Sequence, residues 1–314
     1  MGENLVTVND VHLCVEEFGD PADPSILLIG GASSSMDWWD AEFCRRLASG
    51  EAAGEVTGDV SGEVSGEAAG EKDGLGGRHV IRYDHRDTGR STAYPVGKPG
   101  YGSRELLEDA SALIEQLAGG HAHVVGVSMG GGLAQDLVLR HPEQVASLTL
   151  ISTSPIARRD PSVPLPPMAA RLSGVSLPDP DWSDRDSVVE YYLAQEEVYA
   201  GPSSFDTAHT REVAGPVFDR STDLEASAKN HWIVLTTDDE DDAPRDLGTV
   251  TAPTLVIHGD ADPMFPVAHG AALAAEIPGA TLLVLDGGGH QVPPPATWDV
   301  VVPAIRRHTF REMS

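Results

Sequence analysis

The 314-residue chain predicts an α/β fold: a mostly parallel sheet of eight strands with helices on both faces. Three observations predict it. Short apolar runs, continuous rather than alternating, recur along the chain, as strands buried on both faces require. Segments with apolar residues at helical spacing lie between them. With 40 % hydrophobic and 22 % charged residues, the chain can also bury a full core, which excludes global disorder.

In chain order, Val6–Val8 and Val11–Val15 flank Asn9-Asp10, a hairpin signal. Ile26–Ile29 is a buried-type strand ending in Gly30-Gly31, and a helical pattern runs from about Asp37 to Ala48. His79–Tyr83 is the next strand. Arg104–Leu117 reads as a helix with Leu106, Leu107, Ala110, Leu113, Ile114 and Leu117 on one face. His123–Val127 hands over to a helix at Gly130–Arg140, which stops at His141-Pro142. Leu148–Ile151, Thr254–Ile257 and Leu282–Leu285 complete the strands.

Two intervals break this rhythm. From Gly50 to Gly74 glycine recurs every fourth residue, nearly always followed by Glu or Asp. Collagen needs glycine every third residue, and in a helix each glycine costs about 1 kcal/mol against alanine. The expectation is a disordered acidic Gly/Glu insertion spanning 50–77. A calcium-binding repeat would need more aspartate than the segment holds. The second interval, 154–247, opens rich in proline and shows helical patterns near Ser187–Tyr199 and Leu224–Leu235, then an acidic loop at Asp238–Asp242. It is expected to form a helical cap on a core made of 1–153 and 248–314.

The formal net charge of −28 argues against nucleic acid or an anionic membrane as partner, because a phosphate-binding face must be basic. Only Lys72, Lys98 and Lys229 are lysines, which fits a GC-rich genome or a salt-adapted cytoplasm. No apolar run approaches the ~20 residues a membrane span requires. The first residues carry neither signal-peptide regions nor, with Val6, a myristoylation motif. Cys14 and Cys44 read as two buried thiols, and a soluble cytoplasmic protein is expected.

Gly126-Val127-Ser128-Met129-Gly130 has the G-x-S-x-G form. Alone it is a weak signal, but it lies where a buried strand passes into a helix, the setting a nucleophile elbow requires. A serine hydroxyl attacks only when a base takes its proton, and an imidazole is that base only in the right tautomer. An acid and then a histidine should therefore follow, each at a strand end. Asp260 and Asp262 follow the strand Thr254–Ile257, and Gly287-Gly288-Gly289-His290 follows the last strand, on a loop expected to be flexible. Asp262 is favoured as the acid, with Asp260 in a turn and Asp286 structural. The oxyanion needs two backbone N–H donors: Met129, directly after the nucleophile, and the loop around Gly31 and Ala32.

Other groups read more plainly. His121-x-His123 has no thiolate or carboxylate partner nearby and suits a strand start better than a metal, so no metal is expected. Neither Gly30-Gly31 nor Gly130-Gly131-Gly132 has phosphate-cradle spacing. The polar stretch Arg82–Ser91 reads as a loop-fixing network, with His85 or Arg86 reaching substrate as the sharper alternative. Trp38, Tyr192, Trp232 and Phe265, with Trp39, Trp182 and Tyr191, are candidates to line an apolar pocket, although each alone reads as core.

On these residues the chain resembles the α/β-hydrolase fold and, within it, the aclacinomycin methylesterase group of actinomycete hydrolases. Phe18–Pro24, His79–Ser91, His123–Gly126, Ser128-Met129-Gly130 and Pro253–Ile257 carry the resemblance. It covers about two-thirds of the chain and fades across 154–247. It implies Ser128 as nucleophile, Asp262 as acid, His290 as base, and Met129 with the Gly31 region as oxyanion donors. The insertion, Ala32 in place of a larger polar residue, and the divergent cap depart from the group. The expectation is a cofactor-free serine hydrolase of a small-molecule carboxylic ester. The same triad could instead serve carbon–carbon or lactone hydrolysis or acyl transfer, and a hydrolase-fold binding protein with little turnover is a further alternative.

Overall fold

The computed structural model describes residues 2–50, 73–157, 164–202, 204–237 and 246–310. Eight strands form one sheet: β1 (Asn4–Val8), β2 (Val11–Phe18), β3 (Ser25–Ile29), β4 (His79–Tyr83), β5 (Ala122–Val127), β6 (Val145–Ile151), β7 (Thr254–Gly259) and β8 (Thr281–Leu285). Their order across the sheet is β1-β2-β4-β3-β5-β6-β7-β8. The β1–β2 and β2–β4 pairs are antiparallel, and every pair from β4 to β8 is parallel.

The order reverses at β3. The chain moves from β3 to β4 on one side, then returns to place β5 on the other. In an open α/β sheet the two connections leave a crevice outside the carboxyl ends of the strands flanking such a switch point. Here those ends are Ile29-Gly30-Gly31 and Val127-Ser128.

Alternation along the buried strands divides the core between two faces. Leu27 and Ile29 of β3, Val124 of β5 and Leu148 and Leu150 of β6 meet the helices α2 (Ser103–Leu117), α3 (Met129–Arg140) and α7 (Ala268–Glu276). Ile26 and Leu28, Val125 and Ile257 meet α1 (Ala41–Ser49) and α8 (Trp298–Phe310) on the other face. All five residues of β3 are buried, hence its unbroken apolar run. The expected helix from Asp37 resolves into a 3₁₀ turn, Met36–Trp38, and then α1, because the Asp40 carboxylate accepts from Glu42 N–H and starts the helix there.

Gly50 ends α1 in the left-handed conformation at φ 71°. Its carbonyl accepts from Asp73 N–H at 3.2 Å, while Asp73 pairs with the Arg306 guanidinium of α8 at 2.6 Å. Arg78 donates to the carbonyls of Leu75 and Gly77. Residues 73–77 are therefore held against the core, which corrects the expected disorder at that end. The rest of the period-four segment, 51–72, lies outside the described residues, as does the acidic loop Asp238–Asp242.

Among the described residues between β6 and β7 are three α-helices: α4 (Arg185–Tyr199), α5 (Thr207–Arg220) and α6 (Leu224–Thr236). α4 and α5 share an apolar seam of Val188, Val189, Tyr192, Val213 and Val217. α5 was not expected, since Gly215-Pro216 reads as a helix breaker. Its last residue, buried Arg220, pairs with Asp84 at 2.7 Å, Asp37 at 2.8 Å and Glu3 at 3.0 Å, tying this layer to the core loops. Among the described residues no helix is long and apolar enough to cross a membrane.

Candidate active site

Ser128 stands between β5 and α3 at φ 52°, ψ −117°, a conformation that costs a non-glycine residue about 1–3 kcal/mol. Its surroundings hold it there. Ser128 N–H donates to Ile151 O at 3.0 Å, and Ser128 O accepts from Thr153 Oγ1 at 2.9 Å and Gly132 N at 3.1 Å. A Cβ on Gly126 would overlap the Gly130 carbonyl, and one on Gly130 would overlap the carbonyls of Ile29 and Gly30. The motif's glycines are thus explained by backbone crowding. Ser128 makes no side-chain cap bond to α3, which leaves its hydroxyl to other partners. As the first helical residue, Met129 has an N–H with no acceptor four residues back.

That hydroxyl lies 2.9 Å from His290 Nε2, and His290 Nδ1 lies 2.9 Å from Asp262 Oδ2. A carboxylate only accepts, so Nδ1 carries the proton and Nε2 is left to accept from Ser128. The other Asp262 oxygen accepts from the N–H groups of Met264 and Phe265, each at 2.8 Å. His258 is 3.6 Å from Asp262 and donates to Phe265 O at 2.7 Å, and burial lowers its pKa. Asp260 is exposed and accepts from Gly287 N–H at 2.7 Å, where it ties the ends of β7 and β8 together. It makes no bond to His290. Asp286 is exposed.

The loop carrying His290 is closely packed rather than free. His290 N–H donates to Tyr199 O at 2.9 Å, and Gly289 lies so close to the backbone of Tyr199 and Gly201 that a Cβ would overlap it. The glycines let the loop approach the end of α4. This corrects the expectation of a flexible loop.

These groups open into a cavity of about 610 Å³. Gly31, Ala32 and Met129 lie at its head, and a Cβ built on Gly31 would stand 3.6 Å from the Ser128 Cβ. Trp38, Tyr192, Trp232 and Phe265 line the walls. Trp38 and Tyr192 meet edge to face at 5.6 Å, and the Phe265 ring packs 5.3 Å from that of His290. Trp232 is 43 % exposed. Trp39 is wholly buried in the sheet core, and Trp182 and Tyr191 pack on each other outside the cavity.

Among the lining residues that sequence reasoning missed are Tyr199, Glu196 and Gln291. Gln291 donates to Glu196 at 2.8 Å, and burial pushes the Glu196 carboxyl above its usual range. Glu196 and Tyr199 belong to α4, and only their 3-residue helical spacing could have placed them together. Of the groups read as structural, Arg86 forms a buried pair with Asp109 and His85 lies behind Gly30, both outside the cavity lining. His123 is buried on Ser147 at 2.9 Å, its pKa lowered to about 4 by burial. Among the described residues no three His, Cys, Asp or Glu side chains converge as a metal site.

The family model of serine aminopeptidase S33 matches residues 74–293. Rhodomycin D methylesterase DauP from Streptomyces sp. (strain C5) is 29 % identical over 98 % of both chains. Rhodomycin D methylesterase DnrP from Streptomyces peucetius is likewise 29 % identical with 98 % of each chain covered. Both agree with the methylesterase resemblance read from the sequence. Among solved structures, the enol-lactonase from Burkholderia xenovorans LB400 superposes with a TM-score of 0.65 at 22 % identity, covering 97 % of this chain and 99 % of that one. At that identity the likeness concerns the fold. The chain belongs to the serine aminopeptidase S33 family of α/β-hydrolases.

Proposed function

We propose that the protein is a cofactor-free serine hydrolase of a carboxylic ester, with Ser128 as nucleophile, His290 as base and Asp262 as its orienting acid. One observation carries this reading: the relay from Asp262 through His290 to Ser128, two bonds of 2.9 Å, at the head of a cavity of about 610 Å³.

His290 Nε2 takes the Ser128 proton as Oγ attacks the ester carbonyl. The oxyanion lies on the N–H groups of Met129 and of the Gly31–Ala32 loop, at the positive end of α3. The imidazolium gives its proton to the departing alcohol, and water then repeats the sequence on the acyl-enzyme to release the acid. Asp262 holds the tautomer and stabilises the cation. Helices α4–α6, as a cap over 154–247, close the cavity above these groups. Its volume lies within the range of drug-sized ligands, and its aromatic walls suit a bulky, largely apolar acyl part. Likeness to two methylesterases favours a methyl ester, whose leaving alcohol is small.

Fluorophosphonate labelling of wild type and Ser128→Ala, with mass-spectrometric mapping, tests the reading. Stoichiometric modification at Ser128 is expected, and Ser128→Ala should lose ~10⁴-fold or more in kcat on aryl and methyl esters. Full turnover in the variant would refute it. Product analysis on ester, lactone and β-diketone substrates separates ester cleavage from the other reactions open to the same residues.

A further inference from the structure

We propose that His231, on α6, is a positioning residue for the oxyanion loop. This rests on the hydrolase reading above and adds the residue that sets the geometry of its oxyanion donors.

The loop after β3 leaves the sheet through Gly30, Gly31, Ala32 and Ser33, and three side chains hold it at both ends. On the near side, His85 Nε2 lies 3.2 Å from Gly30 O. On the far side, Ser33 N–H donates to His231 Nδ1 at 2.8 Å, and Ser33 O accepts from Ser227 Oγ at 3.2 Å. Both His231 and Ser227 belong to α6. The peptides of Gly31 and Ala32 lie between these clamps.

The His231 bond has one chemical sense. Its Nε2 lies 2.8 Å from Arg86 O, and a carbonyl only accepts, so Nε2 carries the ring proton. Nδ1 is then a lone pair facing a backbone N–H. The ring is wholly buried and cannot swing to other partners. Its footing is rigid: Arg86 is locked on Asp109, and the adjacent Asn230 bonds Asp87 at 2.9 Å and Gly97 N–H at 2.8 Å.

Ser33 shows why the loop needs this support. It sits at φ 61°, a left-handed conformation that persists only where the surroundings impose it. With the Nδ1 acceptor removed, the half-buried Ser33 N–H loses its partner and the turn has reason to relax. Such relaxation moves the neighbouring Gly31 and Ala32 N–H groups, leaving Ser128, His290 and Asp262 in place. The effect belongs in kcat, since the oxyanion is met only in the transition state.

Two conservative variants separate this role from simple packing. His231→Asn presents an amide oxygen near the Nδ1 position and keeps the acceptor for Ser33. His231→Gln presents its amide nitrogen near Nε2, keeping the donor to Arg86 O and losing the acceptor. With 4-nitrophenyl butyrate, His231→Gln is expected to lose about 10- to 100-fold in kcat with KM within about threefold of wild type. Faster amide hydrogen exchange at Ser33 should accompany the loss. His231→Asn is expected within about fivefold of wild-type kcat, with Ser33 exchange preserved.

Equal losses in the two variants, or a loss that follows melting temperature or falls in KM, would overturn the role. Should His231→Gln not fold, His231→Asn decides: a tenfold fall in kcat refutes it. Wild type that neither turns over nor labels at Ser128 removes the hydrolase reading and this role with it. Wild-type turnover together with an unimpaired His231→Gln removes the role alone.

Discussion

Two serines that line the cavity each pair with a histidine at nearly the same distance. Ser128 lies 2.9 Å from His290, and Ser154 lies 2.8 Å from His269 of α7. Each serine follows a parallel strand of the sheet, β5 or β6. Behind the pairs the environments diverge. His290 turns its far nitrogen to the Asp262 carboxylate, whereas His269 turns its own to the Pro166 carbonyl at 2.9 Å. A carbonyl orients the ring but carries no full charge, so it cannot stabilise a developing imidazolium as a carboxylate does. The residues that follow the serines differ as well. Met129 offers a backbone N–H at a helix start, while Pro155 has none. A serine hydrogen-bonded to histidine is thus an ordinary structural pair until a buried carboxylate and a backbone donor are added to it.

Asp262→Asn attacks the comparison where it should matter most. The amide keeps the shape and presents a neutral partner, so the His290 site comes to resemble the His269 site electrostatically. A fall of about 10⁴ in kcat is expected, with the fold retained and Ser128 labelling greatly slowed. A loss of tenfold or less in steady-state assays would mean that the carboxylate is not what distinguishes the two pairs.

Gly130→Ala tests the backbone half of the contrast. The added methyl meets the carbonyls of Ile29 and Gly30, which lead into the Gly31–Ala32 loop, so neither side can yield without moving that loop or Ser128. We expect a destabilisation of about 1–3 kcal/mol in denaturant unfolding, and a kcat reduced further than the unfolded fraction explains. Wild-type values for both would show that the elbow is less crowded than its contacts indicate.

The same contrast marks what could be read from the chain. Ser128, His290 and the favoured carboxylate stood out because each follows an apolar strand in a fixed order, and strand ends are legible from local pattern. Helices α5 and α8 were not, since Pro216 and Pro303 lie inside them and proline reads locally as a stop. Packing against the rest of the fold outweighs that local signal. His231 was out of reach for another reason: its partner Ser33 is 198 residues away, and no periodicity records such a bond. The Ser154–His269 pair was equally invisible, joining residues 115 apart. Its existence shows that proximity alone would have been a poor guide to the site.

Ser154→Ala is the smallest change and the one that asks most of the comparison. If Ser154 is structural, its removal leaves the His269 Nδ1 without a donor and costs about 0.5–1.5 kcal/mol of stability. Turnover should stay within about threefold of wild type, because Ser154 stands on the cavity wall and makes no bond to Ser128, His290 or Asp262. Fluorophosphonate adducts mapped by mass spectrometry should fall on Ser128 in both proteins. In Ser128→Ala, Ser154 should remain unlabelled even at long exposure. An adduct on Ser154, or a tenfold loss of kcat in Ser154→Ala, would mean that the Pro166 carbonyl suffices to activate an imidazole here, and the distinction drawn between the two pairs would fall.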